Sequence, residues 1–485
     1  MKKTLTFLFL FVLTSLGLKA QNDTIFVTMD PPLHQRVVLY ATEGAQQQFL
    51  VFNDATDGKF KIAMPEGSNE AMYRLVYNPK TLDYVDFLYL GKPLSFSINP
   101  QANNPLPIFE DSPENQRYYN KLIDIYQSQQ ELDSIQIQLF QSQSEHQVEQ
   151  LTQTYQKAFN KSEEHINELL NDEPNEVIHD ILKSYYRVLP ESPINEPTEY
   201  LTFVKDHYFD HVDFNNINLI HSSVLADKVL DYIFYLTVAE NPEKQNKLYK
   251  NAIDEVLSKI SNDLFRRSFM QSLIQSFSRE ENVEVVDHIF EKHYDVLPSG
   301  LKNPVWRSQV LYELSTAVTR SAKNINIEIE DKGTVSLYNL HDHEYYFIAF
   351  WSTTCPHCMI EIPKIHQFLK DKENIKVIAV GLEDEFSKTK WKSETYRYPE
   401  FYHVLGLGKW DSQVAKNYNV HATPYYFVLD KNKKIIAKPY DYEEVEAYFS
   451  DIFKKEEEQK QNELQKENIE EPSNVIQPKS TEEHE

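Results

Sequence analysis

The stretch that decides the fold of the C-terminal part of the chain reads Phe350-Trp351-Ser352-Thr353-Thr354-Cys355-Pro356-His357-Cys358. The apolar run 345–351 is suited to a buried strand, and the pattern after it is helical. Cys355 stands where the helix begins, so it takes the N-cap position. Pro356 then takes the first helical position, where its missing N–H costs nothing. The amides of His357 and Cys358 are expected to point at the Cys355 sulfur.

This placement favours the thiolate of Cys355. Hydrogen bonds from the two amides and the positive end of the helix dipole stabilise a negatively charged sulfur, and His357 adds positive charge when it is protonated. Because the thiolate is the reactive form of cysteine, Cys355 is the predicted nucleophile. Cys358 lies one turn further along and more inward, which suits it to resolve a mixed disulfide.

The chain contains only two cysteines, and both lie in this motif. The two cysteines could form half of a zinc site, but the other ligands would have to come from elsewhere in the chain. Haem attachment would need a histidine directly after Cys358, where Met359 stands. A peroxidase motif has a partial match in Ser352, but Ile348 occupies the position where that motif has a proline. We therefore predict a redox-active Cys355–Cys358 disulfide and no metal site.

Length and charge limit the function classes. The chain has 485 residues, which predicts several domains, and its 41% hydrophobic and 13% aromatic residues are enough to build packed cores. The formal net charge of −25 argues against binding to nucleic acid or to an anionic membrane surface.

The N-terminal residues follow the pattern of a secretory signal. Lys2 and Lys3 precede an apolar run, 5–18, and Ala20 offers a small residue at a cleavage point. An uncleaved anchor is the alternative, although the run is short for a bilayer. We expect residues 1–20 to be a signal peptide, and the mature protein to lie in the periplasm or cell envelope without an integral membrane segment.

The rest of the chain changes its pattern twice. Residues 22–109 read as short strands of a β-sandwich-like domain, including a predicted hairpin around Asp57-Gly58. Ser112-Pro113 then marks a helix start, and apolar residues at helical spacing predict an α-helical region over 112–322.

From residue 324 the pattern alternates between strands and helices. This order predicts an α/β domain over 324–453. The segment 454–485 holds ten Glu and five Lys but four aliphatic residues, so we expect a disordered charged tail after any short helical extension.

Around the cysteines the chain resembles the thioredoxin superfamily, over the residues 324–453. Glu361-Ile362-Pro363, directly after the motif, resembles the TlpA/ResA-type periplasmic branch. The resemblance implies a thioredoxin-like fold, and thiol–disulfide exchange without a metal or organic cofactor. It also implies that Glu361 assists proton transfer from the inner thiol; a solvated surface glutamate is the alternative. Pro363 cannot donate a backbone hydrogen bond, so a helix kink is expected there.

A second landmark is Thr423-Pro424, which precedes an apolar strand. It resembles the cis-proline loop that faces the cysteines in this superfamily and offers backbone groups to a substrate strand. We therefore predict a cis peptide bond before Pro424, with an ordinary trans turn as the alternative. Trp351 either shields the disulfide or is a core residue at a strand end.

Two further groups contain metal-ligating residue types. His341 and His343 flank an aspartate in a predicted turn, and Glu383-Asp384-Glu385 follows the second buried strand. Solvated loop residues are the simpler explanation of both groups.

The direction of electron flow has evidence on both sides. The Pro-His pair between the cysteines resembles strongly oxidising periplasmic proteins, whereas the Glu-x-Pro context resembles reductases. We predict a reductase whose partners are disulfide-containing or dithiol proteins of the cell envelope, with a membrane protein as a candidate electron donor. The alternative is an envelope binding or scaffold protein with an accessory redox domain, since the β and helical regions exceed the α/β domain by more than two to one in length.

Overall fold

The computed structural model describes residues 24–103 and 105–470, so the predicted signal peptide lies outside the described residues. Within the described ranges no helix has both the length and the apolar character needed to cross a bilayer. The chain forms two compact units. Of the described residues, one unit comprises those from 24 to 276 together with Glu284–Lys302, and the other comprises Phe277–Val283 together with those from 303 to 470.

The N-terminal region consists of two four-stranded sheets that share one hydrophobic core. Their strand orders are β4-β1-β7-β8 and β3-β2-β5-β6. Phe60 and Phe96 of the first sheet pack with Leu39 and Phe87 of the second, as expected for the β-sandwich-like domain. The strands are β1 (Thr24–Met29), β2 (Arg36–Glu43), β3 (Gln46–Asp54), β4 (Lys59–Ala63), β5 (Ala71–Asn78), β6 (Asp83–Tyr89), β7 (Leu94–Ile98) and β8 (Ile108–Phe109).

The hairpin predicted around Asp57-Gly58 is wrong, although its turn forms. Asp57 and Gly58 both have positive φ, at 52° and 71°, and Thr56 and Lys59 exchange backbone hydrogen bonds of 2.9 and 3.0 Å. Beyond this bridge, however, β3 pairs with β2 and β4 pairs with β1. The turn therefore carries the chain from one sheet to the other, because the local turn signal does not select the partner strand.

The middle of the chain is helical, as predicted. Helix α1 begins at Pro113, directly after Ser112, and the side chains of Asn175, Asn241 and Asn303 accept hydrogen bonds at the starts of later helices. The helices are α1 (Pro113–Gln141), α2 (Glu145–Asn171), α3 (Glu176–Tyr185), α4 (Pro197–Asp206), α5 (Ile217–Ile220), α6 (Val224–Phe234), α7 (Pro242–Lys259), α8 (Asp263–Arg279), α9 (Val283–Ile289), which runs into a π-helical turn (Phe290–Tyr294), and α10 (Pro304–Glu313).

The C-terminal region is built on a five-stranded sheet in the order β13-β12-β11-β14-β15. Strands β11, β12 and β13 run parallel, whereas β14 and β15 are antiparallel to their neighbours. The elements are β9 (Asn326–Ile329), β10 (Gly333–Ser336), β11 (Tyr345–Trp351), α11 (Pro356–Leu369), β12 (Ile375–Glu383), α12 (Lys388–Thr395), β13 (Tyr402–Leu407), α13 (Gln413–Asn417), β14 (Tyr425–Asp430), β15 (Ile435–Ala437) and α14 (Tyr442–Glu470).

The central strand β11 is buried on both faces, which explains why its sequence is a continuous apolar run. Phe347 and Trp351 point into the core that contains α11 and α14. Ile348 and Phe350 point into the core on the opposite face, beside α13. Alternation along one strand thus supplies both cores of the domain.

Helix α14 differs from the expected disordered tail. It continues from Tyr442 to Glu470, so the segment 454–470 is helical. This segment is rich in Glu, Lys and Gln, which have high helix propensity, and this explains why the helix continues through it. The remainder of the predicted tail, 471–485, lies outside the described residues.

Close packing over β12 gives a stability prediction. A Cβ atom added at Gly381 would lie 2.0 Å from Nε1 of Trp391. We expect Gly381→Ala to lower the free energy of unfolding of the C-terminal region by about 1–3 kcal/mol, since the indole has to shift. Differential scanning calorimetry of the full chain measures this. Gly300→Ala is the control, because an added Cβ there meets no described heavy atom within 4 Å. Equal effects of the two changes would contradict the prediction.

Candidate active site

The turn between β11 and α11 places Cys355 at the N-cap of the helix. Its backbone is extended, with φ −95° and ψ 114°, and Pro356 occupies the first turn. The Cys355 sulfur accepts a hydrogen bond of 3.2 Å from the backbone N–H of Cys358. Of the two amides expected to point at the sulfur, the one from Cys358 makes this bond. The N-cap prediction is therefore confirmed.

The two thiols differ in exposure. Cys358 is fully buried, whereas Cys355 is partly exposed, and both are free thiols. Burial, together with the hydrogen bond to Cys355, raises the pKa of Cys358 to about 12. Cys358 is therefore a neutral thiol near pH 7, and its reaction as a nucleophile requires removal of a proton.

The cis-proline loop faces the first cysteine. The Thr423–Pro424 peptide bond is cis, as predicted. The Cys355 thiol lies 3.3 Å from the carbonyl oxygen of Thr423 and donates to it. The loop therefore contacts the sulfur that is accessible from solvent.

A cavity of about 480 Å³ opens beside these residues. Its walls combine the first turns of α11, the cis-proline loop and the chain before α14. Its lining includes His357, Glu361, Thr423, Pro424, Lys438 and Tyr440. The cavity thus brings together four of the predicted site residues and is large enough for side chains of a bound peptide.

Glu361 lies in this cavity and has a buried partner. The Tyr426 hydroxyl donates a 2.7 Å hydrogen bond to Oε2 of Glu361. Burial raises the pKa of Tyr426 well above its usual range, and the nearby charges of Glu361, Cys358 and Cys355 raise it further. Tyr426 is therefore a permanent hydrogen-bond donor that orients the carboxylate. Sequence reasoning missed it, although its position directly after the cis-proline loop was a usable signal.

A second carboxylate, which unlike that of Glu361 is fully buried, holds the turn before Cys355. Glu383, at the end of β12, is fully buried. Its Oε1 accepts a 2.6 Å hydrogen bond from the N–H of Thr353, and its Oε2 accepts a 3.2 Å bond from the Ser352 hydroxyl. The carbonyl of Ser352 in turn accepts from the N–H of Cys355 at 3.1 Å. Glu383 is thus connected to the nucleophile through the backbone of the turn.

The acidic run after β12 does not form a shared cation site. Glu383 is directed into the turn, and Asp384 accepts from Ser387 and pairs with Lys409 at 3.2 Å. These partners lower the pKa of Asp384 to about 2. Glu385 is exposed, 3.9 Å from Lys388. Protein partners therefore account for the three carboxylates.

Trp351 is a core residue, and the cavity lining includes neither of the two loop histidines. Trp351 is fully buried in the core with Cys358 and makes an edge-on contact with Tyr398 at 6.4 Å between ring centroids. This favours the core interpretation. His343 lies 2.9 Å from Asp342 outside the cavity, and His341 is exposed.

Comparisons with known proteins agree with this geometry. Residues 318–438, about a quarter of the chain, match the AhpC/TSA family model. No curated protein matches the chain. The prediction of a thioredoxin-like C-terminal domain is therefore confirmed by the family match and by the arrangement of its site.

Several solved structures are similar to the chain. A thioredoxin-like protein from Bacteroides caccae is 18% identical, with a TM-score of 0.37, over 54% of this chain and 97% of its own. The thioredoxin domain of a thiol-disulfide oxidoreductase from Bacteroides vulgatus is 23% identical, with a TM-score of 0.24, over 28% and 97%. StoA from Bacillus subtilis is 19% identical, with a TM-score of 0.22, over 26% and 96%.

The buried hydrogen bonds of Glu383 give a prediction about the turn. Glu383→Ala leaves the Thr353 N–H without its carboxylate acceptor, and we expect a loss of about 1–3 kcal/mol in the free energy of unfolding of the C-terminal region. Glu383→Gln retains a carbonyl acceptor and should cost less.

Thermal unfolding of the full chain measures both variants, with Glu385→Ala as the control. Glu385 lies two positions away but its side chain is 71% exposed, so its removal should change stability by less than about 0.5 kcal/mol. If Glu383→Ala were as stable as this control, the inference that Glu383 stabilises the turn would be wrong.

Proposed function

We propose that the chain is an exported thiol–disulfide oxidoreductase that reduces disulfides of cell-envelope proteins. The observation that carries the proposal is the pairing of a partly exposed N-cap thiol, Cys355, with a fully buried one, Cys358, opposite a cis-proline loop. Such a pair supplies a nucleophile and a resolving thiol in one turn of helix.

The first step is attack on a partner disulfide. The Cys355 thiolate forms a bond to one partner sulfur, and the S–S bond of the partner breaks. The departing partner sulfur leaves as a thiolate and takes up a proton. We assign binding of the partner chain during this step to the Thr423 carbonyl beside Cys355 and to the cavity next to it.

The second step releases the partner. Cys358 loses its proton and attacks the Cys355 sulfur, which breaks the mixed disulfide and leaves the second partner thiol. Two electrons have then passed from the Cys355–Cys358 dithiol to the partner. Because the pKa of Cys358 is about 12, this step needs a base, and Glu361 is the carboxylate that we assign to it.

The sequence after the cysteines supports the reducing direction. Glu361-Ile362-Pro363 resembles the corresponding segment of reductases, and this resemblance is the basis on which we assign the direction. The N–H of Cys358 that caps the Cys355 sulfur stabilises the attacking thiolate, which exchange in either direction requires. A dithiol protein of the membrane would then reduce the Cys355–Cys358 disulfide again.

Export and the class of partner belong to the same proposal. The basic and apolar pattern of residues 1–20 supports export, and the net charge of −25 supports protein partners over nucleic acid. Tyr440 on the cavity wall is exposed and suits a peptide segment with apolar side chains.

Direct redox measurements test the direction. We expect the full chain to have a reduction potential near about −270 mV in a glutathione or dithiothreitol equilibrium, rather than near about −120 mV. A value at the oxidising end would reverse the proposed direction. Cys355→Ser should abolish reduction of a protein disulfide, because it removes the nucleophile.

A trapping experiment separates the exchange enzyme from the alternatives. Cys358→Ser should accumulate partners joined to Cys355, since the resolving thiol is missing. Envelope partners that bind equally well after both thiols are replaced would favour the scaffold function instead. Rapid consumption of hydrogen peroxide by the wild-type chain would favour the peroxidase interpretation.

The role of Glu361 has a pH signature. We expect Glu361→Gln to slow resolution of the mixed disulfide by roughly 100-fold near pH 7, because Cys358 loses its base. The Cys358 thiolate fraction rises about tenfold per pH unit below its pKa of about 12. The rate at which the variant resolves the mixed disulfide should therefore rise with pH, whereas the wild-type rate should change less.

Quenched-flow kinetics with a model disulfide measures this step. Glu443→Gln is the matched control, since its side chain is 68% exposed on α14. Equal pH profiles of Glu361→Gln and the control would remove Glu361 from the mechanism.

A further inference from the structure

Two histidines and an aspartate converge in the helical part of the chain, outside the redox site. Asp254 lies on α7, His288 on α9 and His293 in the π-helical turn after it. Oδ1 of Asp254 lies 2.8 Å from Nε2 of His288 and 2.6 Å from Nε2 of His293. Both imidazoles therefore point at one carboxylate oxygen.

The π-helical turn brings the two histidines together. In a regular α-helix, residues five apart are separated by about 140° around the axis. The turn Phe290–Tyr294 instead has i to i+5 hydrogen bonding, with the N–H of Asp295 donating to the carbonyl of Phe290 at 2.8 Å. The extra residue rotates His293 towards the side of His288. Such turns occur frequently at functional sites.

Lys292 fixes the remaining carboxylate oxygen. Its Nζ lies 2.5 Å from Oδ2 of Asp254. The carboxylate is therefore held by its second oxygen while Oδ1 faces the imidazoles. In metal centres a ligating carboxylate is commonly oriented by a hydrogen bond of this kind.

We propose that Asp254, His288 and His293 bind a divalent transition-metal ion such as Zn²⁺. The three ligand atoms lie within 4.8 Å of one another. Tetrahedral zinc with bonds of 2.0–2.2 Å separates its ligand atoms by about 3.3 Å. Lengthening the contacts of Oδ1 to His288 and to His293 by roughly 0.5 and 0.7 Å is therefore enough to admit the ion. Each Nε2 then coordinates through its lone pair, with the ring proton on Nδ1.

The donor set and its exposure favour this class of ion. Two imidazoles and one carboxylate suit zinc and its first-row neighbours, whereas Mg²⁺ and Ca²⁺ prefer oxygen ligands. The side chains of Asp254, His288 and His293 are 26%, 20% and 16% exposed, so an ion can enter and water can complete its coordination. A bound ion would join α7 to the end of α9.

Metal titration of the full chain tests the site. Because thiolates are zinc ligands in general, the titration uses a Cys355→Ser/Cys358→Ser background, and calorimetry follows Zn²⁺ and then Mg²⁺. We expect one Zn²⁺ per chain, with Mg²⁺ binding at least about 100-fold more weakly. Co²⁺ should give visible absorption bands of nitrogen and oxygen ligation.

Single substitutions locate the ion. His288→Gln and His293→Gln should each weaken Zn²⁺ binding by at least about tenfold. His207→Gln is the matched control, because His207 contacts a single carboxylate, Asp210, at 2.7 Å. Melting of each variant without metal verifies folding, and Asp254→Asn replaces any variant that is unfolded. Absence of stoichiometric binding, or equal affinity in the ligand and control variants, would leave these residues as an ion-pair cluster only and overturn the proposal.

Discussion

The redox site depends on the buried hydrogen bonds between Glu383 and the turn that follows β11. Parallel strands bring their carboxyl ends to one edge of a sheet, so the last residue of β12 reaches the residues after Trp351. A carboxylate without water is stable only when its oxygens are paired, and the N–H of Thr353 and the hydroxyl of Ser352 pair them. These bonds define where the strand ends. The position of the helix start, and with it the N-cap position of Cys355, follows from that end.

The position of this helix start explains why the two thiols differ in exposure. An N-cap residue lies at the rim of the domain, whereas a residue three positions later points back into the core beside Trp351. The same backbone therefore exposes Cys355 and buries Cys358, whose pKa rises as a result. In the proposed exchange reaction, this difference separates the nucleophile from the resolving thiol, and the burial of Cys358 creates the need for a base. Glu361, one further turn along and hydrogen-bonded to Tyr426, is the carboxylate that we propose for this role.

Features encoded by neighbouring residues could be predicted from the sequence, and features that depend on distant partners could not. Local patterns determine the N-cap position of Cys355, the place of Pro356 in the first turn of the helix and the cis bond before Pro424. Glu383 and Tyr426 act on residues 30 and 65 positions away, so their roles were not visible. The predicted hairpin was wrong for the same reason: its turn was local, but its strand partners were not. His288 and His293 meet because of a π-helical turn, and helical periodicity predicts them on different faces.

The division of the chain into two units bears on how its proposed activities combine. The cysteines, Glu361, Glu383 and the cis-proline loop all belong to the unit that contains Asn303–Glu485. The described site is therefore contained in one unit, separate from the β-sandwich-like region. We propose that the β-sandwich-like region and the helices before α10 act through binding, so that their removal changes which partners are reduced more than how fast the sulfur bonds exchange. Under this proposal an exchange enzyme and an envelope binding protein are two descriptions of one chain, with catalysis assigned to one unit and recognition to the other.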